Sequence, residues 1–186
     1  NVAVGNNVLY ANTIGRYNVG VGEGTLLDNT EGEWNTAVGK GALANNTTAS
    51  YNTVFGGQAA AANITGYQNT VMGNKALLSN TVGKDNTVVG YEALRANTTH
   101  YNTAVGWSAL RVNSTGQKNV AMGMRALYLN TTAHYNTAIG AEAMYSNISG
   151  GSNTVVGYEA LYSNTTASNN VAIGRAALKL NTTGQY

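Results

Sequence analysis

The chain has 186 residues, of which 10% are charged, with a net charge of +2, 23 glycines and neither proline nor cysteine. Lys and Arg are scattered singly and form no basic stripe, which excludes nucleic acid as an expected partner, and the absence of cysteine excludes disulfides and thiolate metal sites. A charged share far below the roughly 25% of an ordinary soluble domain leaves Asn amides and Thr hydroxyls to make the polar surface, a composition that suits an extracellular setting.

Self-similarity sets the organisation. Units begin at Asn1, Asn18, Asn35, Asn52, Asn69, Asn86, Asn102, Asn119, Asn136, Asn153 and Asn170; each has 17 residues except the one from Asn86 to Tyr101, which has 16. The expectation is one repeat array over 1–186. A stack of repeats normally needs atypical terminal units to cover its ends, and no residue is left over for a cap, a leader or a membrane span. The chain therefore reads as a fragment of a longer fibre.

Within the unit, positions 1, 5 and 12 never vary. They are Asn, Gly and Asn, and as Asn35, Gly39, Asn46, Asn136, Gly140, Asn147, Asn170, Gly174 and Asn181 they form the expected structural ladder. Positions 2 to 4 are a short β-branched run such as Thr36-Ala37-Val38 or Thr137-Ala138-Ile139, the pattern of a strand buried on both faces. Side chains alternate across a strand. The larger residue at position 4 is expected inside the coil, and the small one at position 3 against a second surface at an oligomer interface. Position 5 requires Gly because the chain turns there, with φ > 0 or with no room for a Cβ. Positions 8 and 9, Ala-Leu in most units, supply a second core contact. Positions 6–11 are either a second strand or one short helical turn per coil. Positions 12–15, as in Asn181-Thr182-Thr183-Gly184, are turn formers. Position 15 is Gly or Ala wherever it occurs, and the 16-residue unit reads as lacking it, which marks that position as an outward corner.

One such unit cannot bury enough apolar surface to fold alone, but stacked units pair strand to strand and bring identical residues into columns. Asn both donates and accepts, so a buried Asn column can satisfy itself from coil to coil. The expected fold is all-β, a parallel β-solenoid (β-roll) of eleven coils, forming a rod of roughly 50 Å at about 4.8 Å per strand.

The units Asn35-Thr36-Ala37-Val38-Gly39, Asn136-Thr137-Ala138-Ile139-Gly140 and Asn170-Val171-Ala172-Ile173-Gly174 resemble the Asn-x-Ala-Ile-Gly repeat of YadA-like heads in trimeric autotransporter adhesins. The fuller Asn-Thr-Ala-Val-Gly…Ala-Leu…Asn-Thr-Thr unit is similar to repeats in bacterial and phage tail-fibre-like proteins. The resemblance covers the whole chain, although the coil is longer than in the YadA-type head. It implies a left-handed β-roll, a homotrimer with three chains side by side, and exposure on a cell or particle as a head or shaft for attachment. It carries over no functional residues.

His100 and His134 stand next to Tyr two coils apart, roughly 10 Å by strand spacing, too far to share a metal. The acidic residues make no recurring pair for acid/base work. No catalytic residue, cofactor or metal is therefore expected, and the protein is not expected to be an enzyme. Position 17 carries a partial aromatic column, Tyr17, Trp34, Tyr51, Tyr101, Tyr135 and Tyr186. That column is either a stacking platform for sugars or, the preferred reading, corner packing that closes the core edge. Eight position-12 Asn residues, from Asn46 to Asn181, head Asn-x-Ser/Thr sequons, a string that a ladder Asn followed by turn residues produces for structural reasons. Thr47, Thr131, Thr165 and Thr182 form a possible surface-binding file, spaced to template ice or a crystalline polysaccharide. The expected function is a structural and adhesive extracellular fibre segment facing a host surface, glycan or matrix, with no membrane insertion. The alternatives are that Thr-array binder and a self-assembling extracellular filament.

Overall fold

The structure is a computed structural model that describes residues 1–184. Over them the chain is a β-solenoid of about ten turns carrying eleven parallel strands, one per repeat. We number the coils 1 to 11 from their strands, β1 (Val2–Val4) in coil 1, β6 (Thr87–Val89) in coil 6 and β11 (Val171–Ile173) in coil 11. Each strand pairs only with those before and after it, and the register places like on like, as in Thr36↔Thr53, Ala37↔Val54 and Val38↔Phe55. A β-branched run bounded by Asn and Gly, in a chain without Pro, favours such a ladder because every interior N–H can donate.

The strand's pleat is the reverse of the expectation. Position 3 faces inward: Ala37, Val54, Val71, Val88, Ala104, Ala121, Ala138 and Val155 are fully buried. Position 4 faces outward, with Phe55 39%, Met72 47% and Ile139 38% exposed. The Asn at position 1 sets this parity. Its amide must reach partners inside the coil, alternation then carries position 3 inward, and positions 2 and 4 follow to the outside. The small residue at position 3 leaves room for Leu at position 9, and only one face of each strand is buried within the chain.

Positions 6–11 are neither a second strand nor a helical turn; no helix is present among the described residues. They make two consecutive reverse turns, closed in coil 3 by Ala42 N–H to Gly39 O at 3.0 Å and Asn46 N–H to Leu43 O at 3.2 Å. Positions 7 and 9 are left-handed, with φ of 51° at Glu92 and 52° at Leu94. That conformation costs a non-Gly residue about 1–2 kcal/mol. It is offset by complete burial of the Leu side chain and by a second ladder between coils, such as Leu43 N–H to Ala59 O at 3.1 Å. Both reasons offered for Gly at position 5 hold: Gly39 has φ +128°, and a Cβ there would lie 2.7 Å from the carbonyl carbon and oxygen of Gly56 in the next coil.

Position 15 is not an outward corner. Ala49, Ala133 and Ala167 are buried, and the position-15 carbonyl accepts from both Asn columns. In the 16-residue coil Thr99 takes over that carbonyl, accepting from Asn97 Nδ2 at 2.8 Å and Asn86 Nδ2 at 2.9 Å. The missing residue therefore lies between the ladder Asn and this carbonyl, on the exposed stretch of positions 13 and 14.

Candidate functional site

The two invariant Asn columns run through the interior. In the first, Asn35 receives its neighbours' support through its main-chain N–H, which donates to Asn18 Oδ1 at 2.9 Å, while Asn35 Nδ2 donates to Ala49 O at 2.8 Å. Asn136 repeats this with Asn119 Oδ1 at 3.0 Å and Gly150 O at 2.9 Å, and Asn170 N–H donates to Asn153 Oδ1 at 2.9 Å. In the second column, Asn46 Nδ2 donates to Asn29 Oδ1 at 2.7 Å and Ala49 O at 3.0 Å. Asn147 Nδ2 donates to Asn130 Oδ1 at 2.8 Å and Gly150 O at 2.9 Å, and Asn181 Nδ2 to Gly184 O at 2.9 Å. Gly39, Gly140 and Gly174 sit at the turn that ends each strand, with φ of 128°, 132° and 120°. The ladder residues thus come together as a scaffold below the surface. The sequon residues Asn46, Asn97, Asn113, Asn130, Asn147 and Asn164 are fully buried, so an N-linked glycan has no place on them in the folded coil.

The Thr file at position 13 is not a free array. The hydroxyls of Thr47 and Thr131 donate to Ile64 O and Ile148 O at 3.2 Å, and that of Thr165 to Thr182 O at 3.3 Å. Ile64 and Ile148 interrupt the column, and of the four file residues only Thr182 is classed as exposed. Open threonines stand at position 14, where Thr48, Thr65, Thr115, Thr132, Thr166 and Thr183 are exposed, and on the outward strand face at position 2, where Thr36, Thr53, Thr70, Thr87, Thr103, Thr137 and Thr154 are exposed or half-buried.

That outward face carries no charged residue. Its two columns hold only Val and Thr at position 2 and only Val, Phe, Met and Ile at position 4, over all eleven strands. Sequence reasoning assigned this face to the core because the position-4 residues are large. The signal that identifies it is the invariant Asn at position 1, whose inward amide fixes the parity of the strand.

Elsewhere the surface carries columns of aromatic and charged groups. Position 17 is left-handed, φ 62° at Tyr51, and its side chains point to solvent, Tyr51 being 60% exposed, so they do not close the core edge. Tyr17 and Trp34 stack on one another at 4.3 Å, which covers one face of each ring. Tyr186 lies outside the described residues. A column the sequence reading missed stands at position 10: Tyr128, Tyr145 and Tyr162 stack with centroids 5.2 and 5.1 Å apart and planes within 2° and 6°. Arg111 and Lys179 cover its two ends at 5.8 and 5.7 Å and are held by Glu92 at 2.7 Å and Glu159 at 2.6 Å. Burial first, and then the charge of Glu142, raise the Tyr162 phenol above its ordinary value; the hydrogen bond to Glu159 raises Lys179. His100 and His134 have backbone roles, their Nδ1 atoms accepting from Lys84 N–H at 3.1 Å and Gln117 N–H at 3.0 Å. Among the described residues there is no cavity and no group of three or more metal-ligating side chains. No helix there is long and apolar enough to cross a membrane. Comparison with protein-family models, with curated proteins and with solved structures found no match to this chain.

Proposed function

We propose that the chain is a structural and adhesive fibre segment, displayed outside a cell or on a phage-like particle, in which three copies stand side by side with their outward strand faces turned to a common axis. The observation that carries this reading is the uncharged stripe of positions 2 and 4. Two residues wide and roughly 50 Å long, it is on the order of 500 Å² per copy, apolar throughout position 4 and mostly Thr at position 2, a patch of the size that is often functional on a single chain. A partner that fills it rung by rung needs the same coil spacing, which another copy of this chain has. Turning that face inward leaves the position-10, 14 and 17 columns outside for contact with a host surface, glycan or matrix.

Light scattering with negative-stain imaging tests the reading: the expected mass is that of three chains, in rods. Met72→Glu and Ile139→Glu should reduce the mass to one chain with the β-sheet signal retained. A single-chain mass for the unaltered protein removes the trimer. One observation favours a second reading in that case. The position-2 hydroxyls, repeating at strand spacing, suit adsorption to ice or a crystalline polysaccharide, and Thr70→Lys should then weaken adsorption more than Thr165→Lys.

A further inference from the structure

The corner at positions 13–15 is a third ladder between coils. In coil 1 the main-chain N–H groups of Thr13, Ile14 and Gly15 converge on Thr30 O at 3.0, 3.1 and 3.1 Å. Coil 2 repeats this with Thr30, Glu31 and Gly32 on Thr47 O, and coil 4 with Ile64 and Thr65 on Thr81 O. At coil 5 the ladder stops. Thr81, Val82 and Gly83 make no such bond to coil 6, and Asn80 Oδ1 is buried without a partner. Asn97, which should donate to it, turns to Thr99 O alone at 2.8 Å. The cause is the short coil: with one residue fewer between Asn97 and the corner carbonyl, the chain cuts across and its carbonyls miss the donors of coil 5. One coil further on the ladder resumes, with Thr98 N–H to Ser114 O at 3.4 Å and Asn113 Nδ2 to Asn97 Oδ1 at 2.8 Å. The Asn side-chain link is also absent between coils 10 and 11, where Asn164 Oδ1 is unpartnered, but there the backbone bonds from Thr165 and Thr166 to Thr182 O persist. Only the seam between coils 5 and 6 lacks both.

The remaining sides of that seam are closed. Thr70 N–H donates to Asn86 O at 2.9 Å, Gly90 N–H to Met72 O at 2.7 Å, Leu77 N–H to Ala93 O at 3.0 Å and Ser79 N–H to Arg95 O at 3.0 Å. Beyond the corner, Lys84 N–H donates to His100 Nδ1 and Tyr101 N–H to Lys84 O, both at 3.1 Å, so the seam is open at positions 12–15 alone, and a rod zipped everywhere else is weakest along that line. We infer that the seam between coils 5 and 6 is a built-in breakpoint at which the rod opens as two blocks, coils 1–5 and coils 6–11, giving a fibre a defined point of compliance. The inference rests on the single-chain fold and stands or falls independently of the trimer.

Hydrogen exchange on the intact chain tests it at amides that are bonded on both sides of the comparison. Leu77 and Ser79, whose bonds cross the seam, should exchange on the order of a hundredfold faster than Ala60 and Ala62, their counterparts one coil earlier. Inserting Gly between Thr98 and Thr99, which restores a 17-residue coil, should abolish the difference. If the insertion disturbs folding, deleting Thr132 from coil 8 provides the converse: a new seam whose amides, Leu110 and Val112, become fast. Equal exchange at Leu77 and Ala60 in the unaltered chain overturns the inference, as does a Thr132 deletion that leaves Leu110 and Val112 unchanged.

Discussion

Coils 2–5 and coils 7–10 lie on either side of the short coil and share the same inward Asn and Gly columns, yet their outward columns differ. The first block has Leu27, Ala44, Ala61 and Leu78 at position 10, and its one ion pair, Lys40 with Glu23, is between exposed side chains. The second has the Tyr128, Tyr145 and Tyr162 stack and carboxylates that are mostly covered, Glu142 pairing with Arg125 at 3.5 Å. The interior Asn and Gly columns build the coil and do not vary, and the buried apolar columns stay within small and aliphatic residues with the one exception of Thr25. The exterior columns are free to vary, and in the second block they have become braces that span several coils.

If the scaffold is common to both blocks, its disruption should be equally severe in each. Gly39→Ala and Gly140→Ala place a Cβ against the backbone of the next coil at a φ that L residues avoid, and each should destabilise its block by about 3–5 kcal/mol, measured by urea unfolding. Asn46→Ala and Asn130→Ala each remove the same set of side-chain bonds and leave one buried acceptor unpaired, Asn29 Oδ1 or Asn113 Oδ1; a loss of about 3 kcal/mol is expected in both. Asn80→Ala should be milder, because Asn80 Oδ1 has no partner to lose. A block difference at these positions would break the comparison. The braces should show the opposite behaviour. Tyr145→Ala removes two ring stacks, a loss of about 1–3 kcal/mol, whereas Trp34→Ala removes one at an exposed corner, about 1 kcal/mol or less.

The repeat itself made the solenoid legible: Asn at positions 1 and 12, Gly at position 5 and a β-branched run between them leave few other ways to stack. The inward Asn amides were legible too, because a residue that donates and accepts suits a column. The strand's parity was not, because size suggested that Phe55 and Met72 belong inside, whereas the hydrogen-bonding demand of Asn52 and Asn69 put them outside. The turns at positions 6–11 were hidden for a different reason. Leu94 and Leu161 have poor intrinsic preference for φ > 0, and the stacked coils impose it, a tertiary term that no single unit displays. Tyr128, Tyr145 and Tyr162 fall in one column at position 10, but Leu, Ala and Arg fill most of the other coils there, so the aromatic recurrence is weaker in the sequence than at position 17.

The smallest expected effect separates the blocks by pH. Lys179 is raised by its bond to Glu159, so its contribution to stability is present below the ordinary lysine value and is lost as pH rises through the folded-state value. Tyr162 is raised by burial and by Glu142. The unfolded chain therefore releases that phenolic proton first, and stability again falls as pH rises past the ordinary tyrosine value of about 10. Both shifts act in the same direction and lie in coils 10 and 11, whereas the first block holds one raised group, Lys84, bonded to the Tyr67 hydroxyl; coils 6–11 should therefore lose more of their unfolding midpoint at alkaline pH than coils 1–5. Tyr162→Phe cannot ionise and keeps the ring, so it should narrow the gap while leaving the midpoint near neutrality almost unchanged. An equal alkaline loss in both blocks would mean that the ladders, not the braces, carry the pH response.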